Sequence, residues 1–187
     1  MGIVSSVRLI EIISERLKFY KAKNIVVDPV MISTSSSKLL QDDAIEALKE
    51  KLFHQAILLT PNILEASVLS GISIENEEDM IKAVEIISNQ YECAVLCKGG
   101  HSPHNTNDLP YRDNNYRWFL GERIDSNSTH GTGCTLSSAI ASNIAKGIDL
   151  EMSIQSAKQY ISGAISNMLD LGQGSGPLNH GWNFKKE

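Results

Sequence analysis

Ala56-Ile57-Leu58-Leu59-Thr60-Pro61-Asn62-Ile63-Leu64-Glu65 joins a short apolar run, a polar tip stopped by proline, and the opening of a helical stretch. A run that is apolar at every position fits a strand buried on both faces, as in a parallel sheet covered by helices. The unit recurs on either side. Upstream, Ser6 to Tyr20 carries Ile10, Ile13, Leu17 and Tyr20 at helical spacing, and Ile25-Val26-Val27 then runs into Asp28-Pro29. Asp42 to Phe53 is helical by the same pattern. Downstream, helical stretches from Asn62 to Leu69 and from Glu77 to Asn89 lead to Cys93-Ala94-Val95-Leu96-Cys97, which ends in Lys98-Gly99-Gly100-His101. Apolar strands alternating with helices predict an α/β layered fold with a mainly parallel sheet flanked by helices.

Ligands of such sheets bind just beyond the carboxyl ends of the strands. Those ends are polar here: Asp28 follows the first run, Asn62 and Glu65 the second, Lys98 the third. Each has an ordinary explanation as well. Asn62-x-x-Glu65 is also a capping box, Asp28 before Pro29 also a turn former, and Lys98 before two glycines also a solvated strand end. Their coincidence at successive tips is what points to a ligand.

Ser128-Thr129-His130-Gly131-Thr132-Gly133-Cys134-Thr135-Leu136-Ser137-Ser138 adds a glycine-punctuated turn running into a helix. Main-chain N–H groups and the positive end of a helix dipole meet in such a turn, so Gly131 to Cys134 can hold an anion such as a transferring phosphate. A small-residue helix with a core cysteine would read the same way in isolation. Taken with an acid, an amide and a cation at the strand tips, the turn suits a magnesium nucleotide. The helix from Cys134 to Lys146 carries Leu136, Ile140 and Ile144, and a last helix runs from about Leu150 to Leu171 behind Asp149 as cap. Between them and the third strand, the polar stretch from Ser102 to Glu122 ends in Tyr116-Arg117-Trp118-Phe119-Leu120, which suggests a hairpin beside the nucleotide site. His101 and His104 lack a third ligand in register and read as loop residues.

Composition narrows the partners. The chain has 187 residues, 42% hydrophobic, with a formal net charge of −5, which fits one soluble domain and argues against a nucleic-acid-binding face. No apolar run approaches the ~18 residues that span a bilayer, so the expectation is a cytoplasmic protein that acts on a small molecule. Cys93, Cys97 and Cys134 suit a reducing compartment. On one strand Cys93 and Cys97 would lie about 13 Å apart, too far for a disulfide, and read as core packing.

Val27-Asp28-Pro29-Val30-Met31, Leu59-Thr60-Pro61-Asn62-Ile63-Leu64-Glu65-Ala66, Lys98-Gly99-Gly100-His101, the Thr129 to Ile140 segment and Gly176-Pro177-Leu178-Asn179-His180 occur in that order. Together they resemble the hydroxymethylpyrimidine/phosphomethylpyrimidine kinases of thiamine biosynthesis, members of the ribokinase-like superfamily. The resemblance implies an ATP- and Mg2+-dependent kinase that phosphorylates 4-amino-5-hydroxymethyl-2-methylpyrimidine and then its monophosphate. It further implies Cys134 as the catalytic residue, an anion hole at Gly131, Thr132, Gly133 and Cys134, and ATP contacts from Lys98, Asn62, Glu65 and Thr129. Asp28 and Glu65 would serve the metal, and Val30 would face the pyrimidine. Pyridoxal or pyridoxine kinases, and a non-catalytic nucleotide-binding fragment or subunit, are the alternatives.

Members of the family carry further strands ahead of the position matched by Gly2-Ile3. The expectation is therefore a single ribokinase-like domain over 1–187 lacking its N-terminal strands, and completed by a second copy of itself or by a separate N-terminal segment.

Overall fold

A computed structural model describes residues 4–32, 39–99, 107–121, 124, 131–167, 169 and 176–184. The chain divides into two compact units, 1–122 and 123–187, each described by itself.

The first unit holds a five-stranded sheet in the order β1-β2-β3-β4-β5, where β1 is Val26–Val27, β2 Leu58–Leu59, β3 Ala94–Cys97, β4 Leu109–Arg112 and β5 Asn115–Tyr116. Strands β1, β2 and β3 are parallel, with Val27 opposite Leu59 and Leu59 opposite Val95. Every residue of those three strands is buried. Successive side chains point to opposite faces, so both faces of this part of the sheet are covered, which is why its strands read as unbroken apolar runs. Strand β4 runs antiparallel to β3 and alternates instead: Leu109 and Tyr111 are buried, Arg112 is exposed. The hairpin to β5 turns at Asp113-Asn114, both with positive φ (51° and 62°), as a two-residue hairpin turn requires. The expected aromatic strand shrinks to Asn115–Tyr116 plus one bridge from Asp108 to Phe119.

Helix α1 (Val7–Phe19) starts on Ser6, whose side chain accepts the Leu9 N–H at 3.2 Å. Helix α2 (Asp42–Ala47) is shorter than the expected Asp42 to Phe53 stretch, because it passes into a π-helical turn at Leu48–Leu52 and a 3-10 turn at Phe53–Gln55. The Lys51 carbonyl there accepts the Ser14 hydroxyl of α1 and the Gln55 amide. Side-chain donors that enter the ladder in this way displace its regular bonds. Helix α3 (Ile63–Ser70) ends on Gly71 with φ 75°, and α4 (Glu77–Tyr91) packs on β3 and β4. Cys93 and Cys97 are buried and free, as core packing demands.

In the second unit α5 (Thr132–Ala145) packs on α6 (Leu150–Ser166). The turn between them contains Gly147 at φ 84°, and Asp149 caps α6 by accepting the Met152 N–H at 3.0 Å. Helix α6 stops short of the expected Leu171: the Asn167 amide folds back onto the Gly163 carbonyl at 2.9 Å. The tail 176–184, which carries no pattern of its own, is held on α6 by its bonds. Asn179 N–H donates to the Ala164 carbonyl, the Trp182 indole to the Tyr160 carbonyl, and the Tyr160 hydroxyl to the His180 carbonyl. A side chain at Gly163 would overlap the Trp182 ring, so a glycine is required under the indole.

Leu59 in the middle strand is fully buried. Leu59→Ala is expected to lower unfolding free energy by about 2–5 kcal/mol, measured by denaturant titration of the two variants.

Candidate functional site

The three parallel strands end at one edge, and their tips assemble a polar cluster in the first unit. Asp28 follows β1 and is 2% exposed; its Oδ1 receives both the Lys98 ammonium at 2.6 Å and the Thr60 hydroxyl at 3.0 Å. Lys98 follows β3 and Thr60 follows β2, so three strand tips meet on a single carboxylate oxygen. The parallel pairing continues one step beyond the strands as a bridge between Asn62 and Lys98, with the Lys98 N–H on the Pro61 carbonyl at 2.8 Å.

Asn62 and Glu65 form the reciprocal cap of α3: Asn62 Oδ1 accepts the Glu65 N–H, and Glu65 Oε2 accepts the Asn62 N–H, both at 2.9 Å. The capping-box reading is thus satisfied, and it coexists with a place in the cluster. Glu65 Oε1 also accepts the Met31 N–H at 3.4 Å, tying α3 to the loop behind Asp28. Burial pushes the Glu65 carboxyl up to about 7; its backbone bond from Asn62 and the nearby Lys98 charge pull the other way, while Asp28 adds to the rise. Val30 is half-buried in the tight turn after β1, its N–H on the Asp28 carbonyl at 2.8 Å.

Two residues that the sequence did not single out complete the cluster. Thr60 is fully buried and shares Asp28 with the lysine. Asp108, 8% exposed, accepts the Gly99 N–H at 2.9 Å. Thr60 had a signal, as the first polar residue after an apolar strand; Asp108 had none, because it lies in a stretch whose pairing is non-local.

In the second unit, Gly131 has φ 84° and is the N-cap of α5, where no side chain among the described residues makes a capping bond. The first-turn N–H groups of a helix have no intrahelical acceptor, so the amides of Thr132, Gly133 and Cys134 face outward from the helix end, and the Cys134 thiol is exposed. Thr129, His101 and His104 lie outside the described residues.

Among the described residues no group of three or more His, Cys, Asp or Glu could hold a metal. Magnesium does not require one. It is usually held by one or two carboxylates together with substrate phosphates and water, and Asp28 and Glu65 supply that number.

A parallel α/β sheet with a lysine-carboxylate cluster at its strand tips has the architecture of a small-molecule kinase of ribokinase-like type, and comparison with known proteins gives the family. Residues 1–179 match the family described as phosphomethylpyrimidine kinase, and the chain belongs to it. The hydroxymethylpyrimidine/phosphomethylpyrimidine kinase of Streptomyces coelicolor is 37% identical over 181 residues, covering 97% of this chain and 67% of that protein. Among solved structures, phosphomethylpyrimidine kinase from Clostridium difficile matches with TM-score 0.78 and 40% identity, over 88% of this chain and 67% of that one. The ADP complex of Bacillus subtilis pyridoxal kinase matches with TM-score 0.85 and 34% identity, over 96% and 67%. The chain spans about two thirds of the length of these relatives.

The raised Glu65 carboxyl sets a pH dependence. Its protonated form is favoured in the fold, so its contribution to stability is complete below the ordinary value of 4.5 and is lost as pH rises towards about 7. Thermal melts across that window are expected to show the decline, and Glu65→Gln to remove that part of the slope.

Proposed function

We propose that this chain is an ATP-dependent phosphotransferase acting on hydroxymethylpyrimidine and on its monophosphate, with 1–187 read as one kinase domain because the family match runs across both units. The observation that carries the reading is the ion pair of part-buried Lys98 with buried Asp28 at the tips of β3 and β1. A cation fixed beyond the carboxyl ends of parallel strands is placed where a phosphate of a nucleotide would bind.

Lys98 contacts an ATP phosphate, and Asn62 and Glu65 arrange the phosphates from the second strand tip. Asp28 and Glu65 would hold Mg2+, which would supply charge neutralisation at the phosphates. Val30 faces the pyrimidine ring. The amides of Gly131 to Cys134 stabilise the charge of the transferring phosphoryl group. In the first reaction the substrate hydroxyl oxygen bonds to the γ-phosphorus, the bond to the β-phosphate bridging oxygen breaks so that ADP leaves, and the hydroxyl proton passes to Cys134 in its thiolate form, which becomes the neutral thiol. The acceptor in the second reaction is a phosphate oxygen, which needs little deprotonation. A carboxylate base would repel that anion, whereas a thiol carries no fixed charge against it.

A second reading, pyridoxal kinase, is supported by the match to the Bacillus subtilis structure. ATP consumption with each ring decides between them, and nucleotide binding without turnover on either would favour a non-catalytic chain. Cys134→Ala is expected to slow the alcohol reaction by about 100-fold and the phosphate reaction far less, in parallel steady-state assays. Equal losses would remove the sulfur from proton transfer.

A further inference from the structure

We propose that Asp108 is a positioning residue that aims Lys98 at the nucleotide phosphate by holding the main chain directly behind it; the inference rests on the reading of Lys98 given above. Lys98 stands one residue past the end of β3, where the regular ladder has stopped: the last pair of β3 and β4 is Cys97 with Leu109. Its own N–H is taken by the Pro61 carbonyl on the β2 side at 2.8 Å. The next N–H, that of Gly99, points the other way and is taken at 2.9 Å by the Asp108 carboxylate rather than by a β4 carbonyl. The two amides flanking the lysine Cα are therefore held from opposite neighbours in the sheet.

Asp108 is itself anchored. Its N–H and carbonyl both pair with Phe119, at 3.0 and 2.9 Å, which leaves the side chain to reach Gly99. Contact between the two segments is close, since a Cβ on Gly99 would overlap the Asn107 carbonyl. A carboxylate accepting an N–H bonds more strongly than a neutral acceptor, so the turn after Lys98 is held more firmly than a carbonyl would hold it. With the Cα–Cβ direction set in this way, and the side chain only 16% exposed, the ammonium has little room to wander. Displacement of such a group by ~1 Å can cost about 100-fold in a phosphoryl-transfer site.

The test measures binding of AMP-PCP and of adenosine to the chain by titration calorimetry, for the parent, Asp108→Ala and Asp108→Asn. Asparagine keeps an oxygen within reach of Gly99; alanine does not. The expected result is a loss of about tenfold in AMP-PCP affinity for Asp108→Ala, unchanged adenosine affinity, and Asp108→Asn within about twofold of the parent. Should the alanine variant fail to fold, Asp108→Ser, whose hydroxyl is too short to reach Gly99, is measured instead. Unchanged AMP-PCP affinity, equal losses for both ligands, or an asparagine variant as weak as alanine each overturn the proposal. A parent chain that binds AMP-PCP no more tightly than adenosine would show that Lys98 does not read phosphate, and the role of Asp108 falls with that reading.

Discussion

Asp28, Thr60 and Lys98 come from the ends of three adjacent parallel strands, and the contact between carboxylate and ammonium at 2.6 Å is the constraint around which the rest of the tip cluster is arranged. A carboxylate that is 2% exposed has lost nearly all its water. That loss costs several kcal/mol unless a charge and hydrogen bonds replace the solvent, and here both arrive at one oxygen, Oδ1. Glu65 takes its hydrogen bonds from the Asn62 and Met31 N–H groups and lies near enough to feel the Lys98 charge. Burial outweighs that charge and pushes the Glu65 carboxyl up to about 7.

The arrangement bears on the proposed chemistry. Phosphoryl transfer asks a protein for placement and charge more than for covalent chemistry, and both need side chains that are already held. Lys98 is held at its ammonium by Asp28 and at its backbone by Pro61. An arriving phosphate would compete with Asp28 for the ammonium, so the buried pair keeps the cation in place and uncollapsed when no nucleotide is bound. The α5 end differs: its N-cap is Gly131 at positive φ, and among the described residues no side chain caps it.

Legibility followed the range of the interactions. Leu58, Leu59 and Ala94 to Cys97 announced buried strands because burial on both faces leaves no polar position to blur the pattern. Ser6, Asn62 and Asp149 announced helix starts because a cap bonds within three residues of itself. The change to a π-helical turn after Ala47 was not visible in the pattern; in that turn Ser14 of another helix donates to the Lys51 carbonyl. The tail 176–184 had no pattern to read, yet its bonds to Tyr160 and Ala164 hold it on α6.

By itself the sequence determined the order of strands and helices, the parallel character of β1 to β3, and the polar residue types at their tips, because periodicity and capping are local properties of a chain. Tertiary structure alone decided which oxygen Lys98 meets, that Thr60 shares it, that Glu65 is desolvated and that Asp108 accepts the Gly99 N–H. Those outcomes join residues far apart in the chain, and only the register of the folded sheet sets the distances and the exclusion of water on which they depend.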